Sequence, residues 1–151
     1  MKKNYISLAK KSADIQINEL KKVKKIFSNS FVKAIDLILN CRGKVIFAGI
    51  GKSGLIARKI SATFSSVGIP SFFCDPAQAL HGDMGQIEKK DILIIFSYSG
   101  NTSELNNMIK YANRYRIKII GVASKVDSVL LKASDVKLIL PKVKEADITG
   151  M

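Results

Sequence analysis

The chain has 151 residues, 47% apolar and 25% charged, which fits one globular domain with a sizeable core and excludes a largely disordered chain. Its 25 basic and 12 acidic residues leave a formal charge of +13. That excess is rich in Lys, with no interleaved Arg and aromatic residues and no zinc-finger or RNA-binding motif, so it reads as solvated helix surface and no nucleic-acid partner is expected.

In chain order, residues 3–27 predict one long amphipathic helix. Ile6, Ala9, Ala13, Ile17, Leu20, Val23 and Phe27 recur at steps of three and four, and the Lys residues of this stretch fall mostly off that stripe. A second helix follows, capped by Asn29 or Ser30, with Phe31, Ile35 and Leu39 on one face. Residues 1–40 are therefore read as N-terminal helices. From there the pattern changes. Apolar runs at 44–50, 71–74, 92–97, 118–123 and 136–140 read as strands. The stretches 53–66, 103–115 and 127–133 between them read as helices. The strand runs are almost continuously apolar, as in strands covered on both faces. Their alternation with helices predicts an α/β fold: a core over 44–140 with a five-stranded, mostly parallel sheet flanked by helices. Residues 141–151 form a C-terminal segment without an element of its own. No second domain is visible. The polar start and the lack of a long apolar run predict neither a signal peptide nor a membrane span, hence a cytoplasmic protein.

In such a sheet, ligands bind beyond the carboxyl ends of the strands, and three loops there carry chemistry. The first, Gly49-Ile50-Gly51-Lys52-Ser53-Gly54, follows a strand and opens a helix. Its glycines let amide groups approach an anion, and the helix start adds partial positive charge. It is not a Walker A loop, because Ile46 stands where that motif needs glycine. It does satisfy GxGxxG, and Asp75 ends the next strand, so a nicotinamide-binding reading competes. The second loop, Ser97-Tyr98-Ser99-Gly100-Asn101-Thr102-Ser103-Glu104, again joins a strand end to a helix start. One capping hydroxyl would suffice for a helix, yet this loop supplies a ring of them, able to surround a phosphate dianion. A nicotinamide-binding fold has no use for that ring. The third, Ala79-Leu80-His81-Gly82-Asp83, holds the only His of the chain. With one His, and with Cys41 and Cys74 outside any CxxC spacing, a protein-built metal site is not expected; the two thiols read as free and buried.

Taken together, the GKSG loop, the stretch Ile69-Pro70-Ser71-Phe72-Phe73, the triplet His81-Gly82-Asp83, the SxSGNTSE loop and Lys144-Glu145-Ala146 stand in the order seen in the arabinose-5-phosphate isomerases. The chain resembles this capsule and lipopolysaccharide branch of the sugar isomerase (SIS) family along essentially its whole length. The resemblance implies a five-stranded parallel, flavodoxin-like sandwich and an aldose–ketose isomerase whose product feeds synthesis of the sugar acid Kdo, with no metal or other cofactor. It further implies that Ser97, Ser99, Gly100 and Thr102 bind the substrate phosphate, with Ser53 nearby and Gly49, Gly51 and Gly54 as a backbone anion loop. Lys52, His81, Glu104 and Glu145 match active-site positions. Moving hydrogen between C1 and C2 needs a base and a group that polarises the carbonyl. A carboxylate poised by burial, Glu104 or Glu145, suits the base, Lys52 the enediolate oxygen, and His81 ring opening or substrate orientation.

By the same resemblance the SIS domains pair through helices, so a homo-oligomer through the N-terminal helices is expected. The family continues beyond its last strand with a helix that lies over the sheet, and longer members add CBS domains. This sequence ends at Thr149-Gly150-Met151, so the last helix is expected to be missing, CBS domains to be absent, and the chain to be inactive alone. A non-catalytic sugar-phosphate sensor of the same fold remains the alternative.

Overall fold

A computed structural model describes residues 4–146; Met1–Lys3 and Asp147–Met151 lie outside the described residues, and with them the first residue of the expected opening helix and the end of the C-terminal segment. The elements are α1 (Tyr5–Lys22), a 3₁₀ turn (Val23–Ile26), α2 (Asn29–Leu39), β1 (Val45–Gly49), α3 (Lys52–Ser66), β2 (Ser71–Phe73), two 3₁₀ turns (Ala79–His81 and Asp83–Gln86), β3 (Ile92–Phe96), α4 (Leu105–Tyr115), β4 (Lys118–Ala123), α5 (Val129–Ala133) and β5 (Val136–Ile139). The five strands form one parallel sheet in the order β2-β1-β3-β4-β5. Every expected strand is present, each within a residue or two of its expected ends.

The continuous apolar runs are explained by two cores, one on each side of the sheet. Ile46, Ala48, Leu93, Ile95 and Ile119 point to the side covered by α4 and α5, where Leu105, Met108, Ala112, Leu130 and Leu131 meet them. The alternating residues Val45, Phe47, Ile92, Ile94, Ile120 and Val122 point to the other side, against Ala34 of α2 and Ala57 of α3. Cover on this second side is incomplete. A groove of about 320 Å³ remains there, and its lining is wholly apolar, with Phe31, Phe47, Phe64, Ile94, Phe96 and Val122 among the side chains that form it.

Two expectations about the N-terminal helices need correction. The residue preceding α2 is Ser28, and its side chain makes no capping bond, so neither Asn29 nor Ser30 is the cap. The first helix gives way at Val23 to a 3₁₀ turn and buries none of its residues: Ile6, Ile17 and Leu20 are 71%, 53% and 68% exposed. Periodicity identified the stripe, but a stripe does not reveal what covers it.

At the amino edge of the sheet, two aspartates tie strand starts together. Asp91, fully buried before β3, accepts the Lys44 amide at 2.8 Å and the Glu88 amide at 2.8 Å, and its carboxylate faces the Lys44 ammonium at 3.2 Å. Asp135, before β5, accepts the Ile119 amide at 2.9 Å. Replacing Asp91 removes the acceptor of two part-buried amides and one of the two carboxylates that face the Lys44 ammonium. Asp91→Ala is therefore expected to cost about 3 kcal/mol, whereas Glu88→Gln, an exposed side chain that touches only the Lys44 and Lys90 ammonium groups, should cost less than about 1 kcal/mol. Urea unfolding midpoints of the two variants check this.

Candidate functional site

The strand order places the topological switch point between β1 and β3, where one connection leaves toward β2 and the other toward β4. The register sets Gly49 beside Phe96 at the ends of these two strands. The Gly-rich loop and the hydroxyl-rich loop therefore begin side by side. The order is the flavodoxin-like one and differs from that of dinucleotide-binding sheets.

Each loop is held by specific contacts. In the first, the end of β1 and the first turn of α3 pack backbone on backbone: a Cβ on Gly54 would lie 2.6 Å from the Gly49 carbonyl oxygen. Gly51 precedes α3, Lys52 opens it with an exposed side chain, and Ser53 is half-buried. Beside this loop lies a cavity of about 250 Å³ lined by Gly49, Gly51, Gly54, Arg58, Phe73 and Asp75, among others. The Arg58 guanidinium lies 4.3 Å from the centre of the Phe73 ring. The Asp75 carboxylate accepts the Ala77 amide at 3.0 Å, a local turn that occupies one of its oxygens. The sequence reading missed Arg58; its position nearly two turns into the helix opened by the Gly-rich loop is the signal that was there.

In the second loop the Ser97 hydroxyl is buried and shares a 2.8 Å hydrogen bond with the Thr102 hydroxyl. It also accepts the Gly100 amide at 3.0 Å, and Ser99 accepts the Asn101 amide at 3.2 Å. Thr102 is thus turned into the loop and does not cap α4; neither does Ser103, since the residue preceding α4 is Glu104. A neighbouring loop braces the turn. Val129 and Leu130 donate their amides to the Asn101 side chain and the Gly100 carbonyl. Gly100 has φ 67°, and a Cβ there would meet the Ser128 hydroxyl at 2.2 Å, so only glycine fits. The amides of Thr102 and Ser103 have no acceptor among the described residues. The result is a small braced bowl of hydroxyls and free N–H groups at the start of an eleven-residue helix, the arrangement that receives an oxyanion.

The three remaining candidates stand as follows. Glu104 is exposed, and its carboxyl is held below the usual range by its own amide and by the Ser103 hydroxyl. Glu145 is also exposed. The expectation that burial poises one of these carboxylates is therefore not met. Glu145 lies in a strand-free segment after β5 that touches the side chain of a residue of the hydroxyl loop: the Val143 amide donates to Tyr98 Oη at 3.4 Å. His81 ends a 3₁₀ turn on the β2–β3 connection, is exposed, and has no hydrogen bond to the bowl among the described residues. The thiols are also corrected in part. Cys74 is buried, and burial first, then the charges of Asp83 and Asp75, push it up to about 11, so it stays protonated at neutral pH; Cys41 is only half-buried. Among the described residues no group of three or more His, Cys, Asp or Glu is placed to hold a metal, and no helix is long and apolar enough to cross a membrane.

Comparison with known proteins agrees with the fold. The family model for the SIS domain matches residues 38–151. An uncharacterised protein of Rickettsia prowazekii is 42% identical over 147 residues, covering 97% of this chain and 46% of that protein. The arabinose 5-phosphate isomerase GutQ of Escherichia coli K12 is 36% identical over 146 residues, again 97% of this chain and 46% of the relative. The chain thus spans less than half the length of the curated relatives it matches. Among solved structures, an Escherichia coli CFT073 protein in complex with arabinose 5-phosphate is 36% identical, has a TM-score of 0.87, and is matched over 100% of this chain and 80% of that one.

Proposed function

The chain belongs to the SIS domain family, and from that premise we propose that it is the phosphosugar-binding domain of an aldose–ketose isomerase interconverting arabinose 5-phosphate and ribulose 5-phosphate. The observation that carries the reading is the braced hydroxyl bowl at the β1/β3 switch point, with Ser97, Ser99, Gly100 and Thr102 around a free helix start. The likeness to GutQ and to a structure holding arabinose 5-phosphate supports the choice of sugar. In this reading the reaction runs in the cytoplasm and its product leads toward Kdo.

The phosphate anchors one end of the open-chain sugar. A carboxylate then removes the proton from C2 of the aldose, giving an enediolate. The same carboxyl returns the proton to C1, while the hydroxyl proton moves from O2 to O1. Glu145 is assigned this role over Glu104, because the Glu104 carboxylate is taken up by the Ser103 hydroxyl at 2.8 Å, whereas Glu145 lies on the segment that the Val143 amide ties to Tyr98 of the hydroxyl loop. Lys52, exposed beside the bowl at the start of α3, stabilises the negative oxygen. His81 assists ring opening or orients the substrate. The Gly49–Gly54 backbone loop and Ser53 complete the wall next to the phosphate. A non-catalytic sugar-phosphate sensor would use the same bowl but would not need Lys52 or Glu145.

The exposed stripe of α1, with Ile6, Ile17 and Leu20, is assigned to a second copy of the chain. Leu20→Glu should then lower the particle mass in light scattering to that of one chain; an unchanged oligomer, or a wild type that is monomeric at high concentration, contradicts the assignment. For the bowl, calorimetric titration of arabinose 5-phosphate into Ser99→Ala and Thr102→Val should give affinities about tenfold or more below wild type, as hydrogen bonds to a charged group of about 1.5–3 kcal/mol each require. Wild-type affinity in both variants rules out phosphate binding there.

A further inference from the structure

The irregular segment carrying Glu145 is held from a distant part of the chain. Its Lys144 amide donates to Glu19 Oε2 of α1 at 3.2 Å, and the carbonyl of Ala146 accepts the Ser12 hydroxyl of the same helix at 3.3 Å. On the other side, the Val143 amide reaches Tyr98 of the hydroxyl loop. Glu145 thus sits between two amides and a carbonyl that are all tied down, two of the ties coming from α1. The Glu19 carboxylate is itself fixed: Lys22, one turn along, binds it, and its side chain is only 15% exposed. The hydrogen bond from Lys22, opposed by burial and aided by the Lys144 amide, holds this carboxyl below its usual range, so it is an anion at neutral pH and a strong acceptor. α1 buries none of its own residues. Its described polar ties to the sheet domain are these two bonds to the 144–146 segment.

We propose that Glu19 of α1, together with Tyr98, is a positioning residue that holds the 143–146 segment so that Glu145 faces the sugar bound in the hydroxyl bowl. The inference rests on the assignment of Glu145 made above. It gives α1 a part in the site besides its part in pairing. A carboxylate on irregular chain has little else to fix its direction, and misplacement by about 1 Å can cost a hundredfold in a reaction that depends on alignment. Removing the tie should therefore weaken what Glu145 does to the substrate while leaving the phosphate bowl intact.

Two ligands separate these effects in the full chain. Inorganic phosphate reads the bowl alone. The hydroxamate of a phosphorylated erythronic acid, whose planar N–OH group imitates the enediolate, reads the bowl and Glu145 together. Calorimetry of wild type, Glu19→Ala, Glu19→Gln, Tyr98→Phe and Glu145→Gln against both is the experiment. The expected result is that Glu19→Ala loses about tenfold in hydroxamate affinity with phosphate affinity unchanged. Glu19→Gln, which keeps an oxygen for the Lys144 amide, should recover most of that loss. Tyr98→Phe should behave like Glu19→Ala, and Glu145→Gln should lose as much or more. If Glu145→Gln weakens the hydroxamate but Glu19→Ala and Tyr98→Phe do not, the positioning role is overturned and the assignment of Glu145 stands. Equal loss for both ligands in Glu19→Ala also overturns it, since that is what a merely structural tie would give. If Glu145→Gln changes nothing, or wild type binds neither ligand, the underlying assignment fails and this inference with it.

Discussion

The parallel pairing of β1 with β3 is the contact on which the site depends. It places Gly49 next to Phe96, and the loops that leave these two residues are the ones that carry the glycines, the lysine and the ring of hydroxyls. Neighbouring strands lie only about 4.8 Å apart, so two loops distant in sequence become the two walls of one crevice. A pairing shifted by one residue would turn every side chain of β3 to the opposite core. The apolar runs on both sides oppose that shift, because Ile94 and Ile95 serve different cores. The fold and the position of the site are thus fixed by the same burial.

Within the crevice, rigidity comes from hydrogen bonds made by the very groups that could meet a ligand. Ser97 and Thr102 bond to each other, Ser99 supports the turn, and the loop before α5 clamps Gly100 and Asn101 from behind. Such an arrangement is set before the ligand arrives, so little ordering cost falls on binding. The other side of the domain is the opposite case. The apolar groove between α2 and α3 leaves one face of the second core open, and the stripe of α1 adds no buried residue to either core.

The strands were legible because a strand covered on both faces must be apolar at nearly every position, a pattern no loop imitates. The Gly-rich and hydroxyl-rich loops were legible for a related reason: their residues are contiguous, so their chemistry is written in one short stretch. What was not legible is long-range. Tyr98 and Val143 are 45 residues apart, and Glu19 and Lys144 are 125 apart; neither pair leaves a local trace. Burial of Glu104 or Glu145 was expected from the needs of the chemistry, and geometry answered otherwise: both are exposed, Glu104 just before α4 and Glu145 on irregular chain after β5. The cap of α2 was misjudged because several polar residues in a row each satisfy the local rule, and only the backbone chooses among them.

Whether the β1/β3 switch point holds the phosphate of a pentose phosphate can be seen in a crystal structure of the chain soaked with arabinose 5-phosphate. The phosphorus is expected within the 97–102 loop, its oxygens in hydrogen-bond reach of the Ser99 and Thr102 hydroxyls and of the Ser103 amide, with the sugar running toward Lys52 and Glu145. Density for the phosphate elsewhere, for instance in the cavity beside Arg58 and Asp75, with the hydroxyl bowl filled by water, would contradict it.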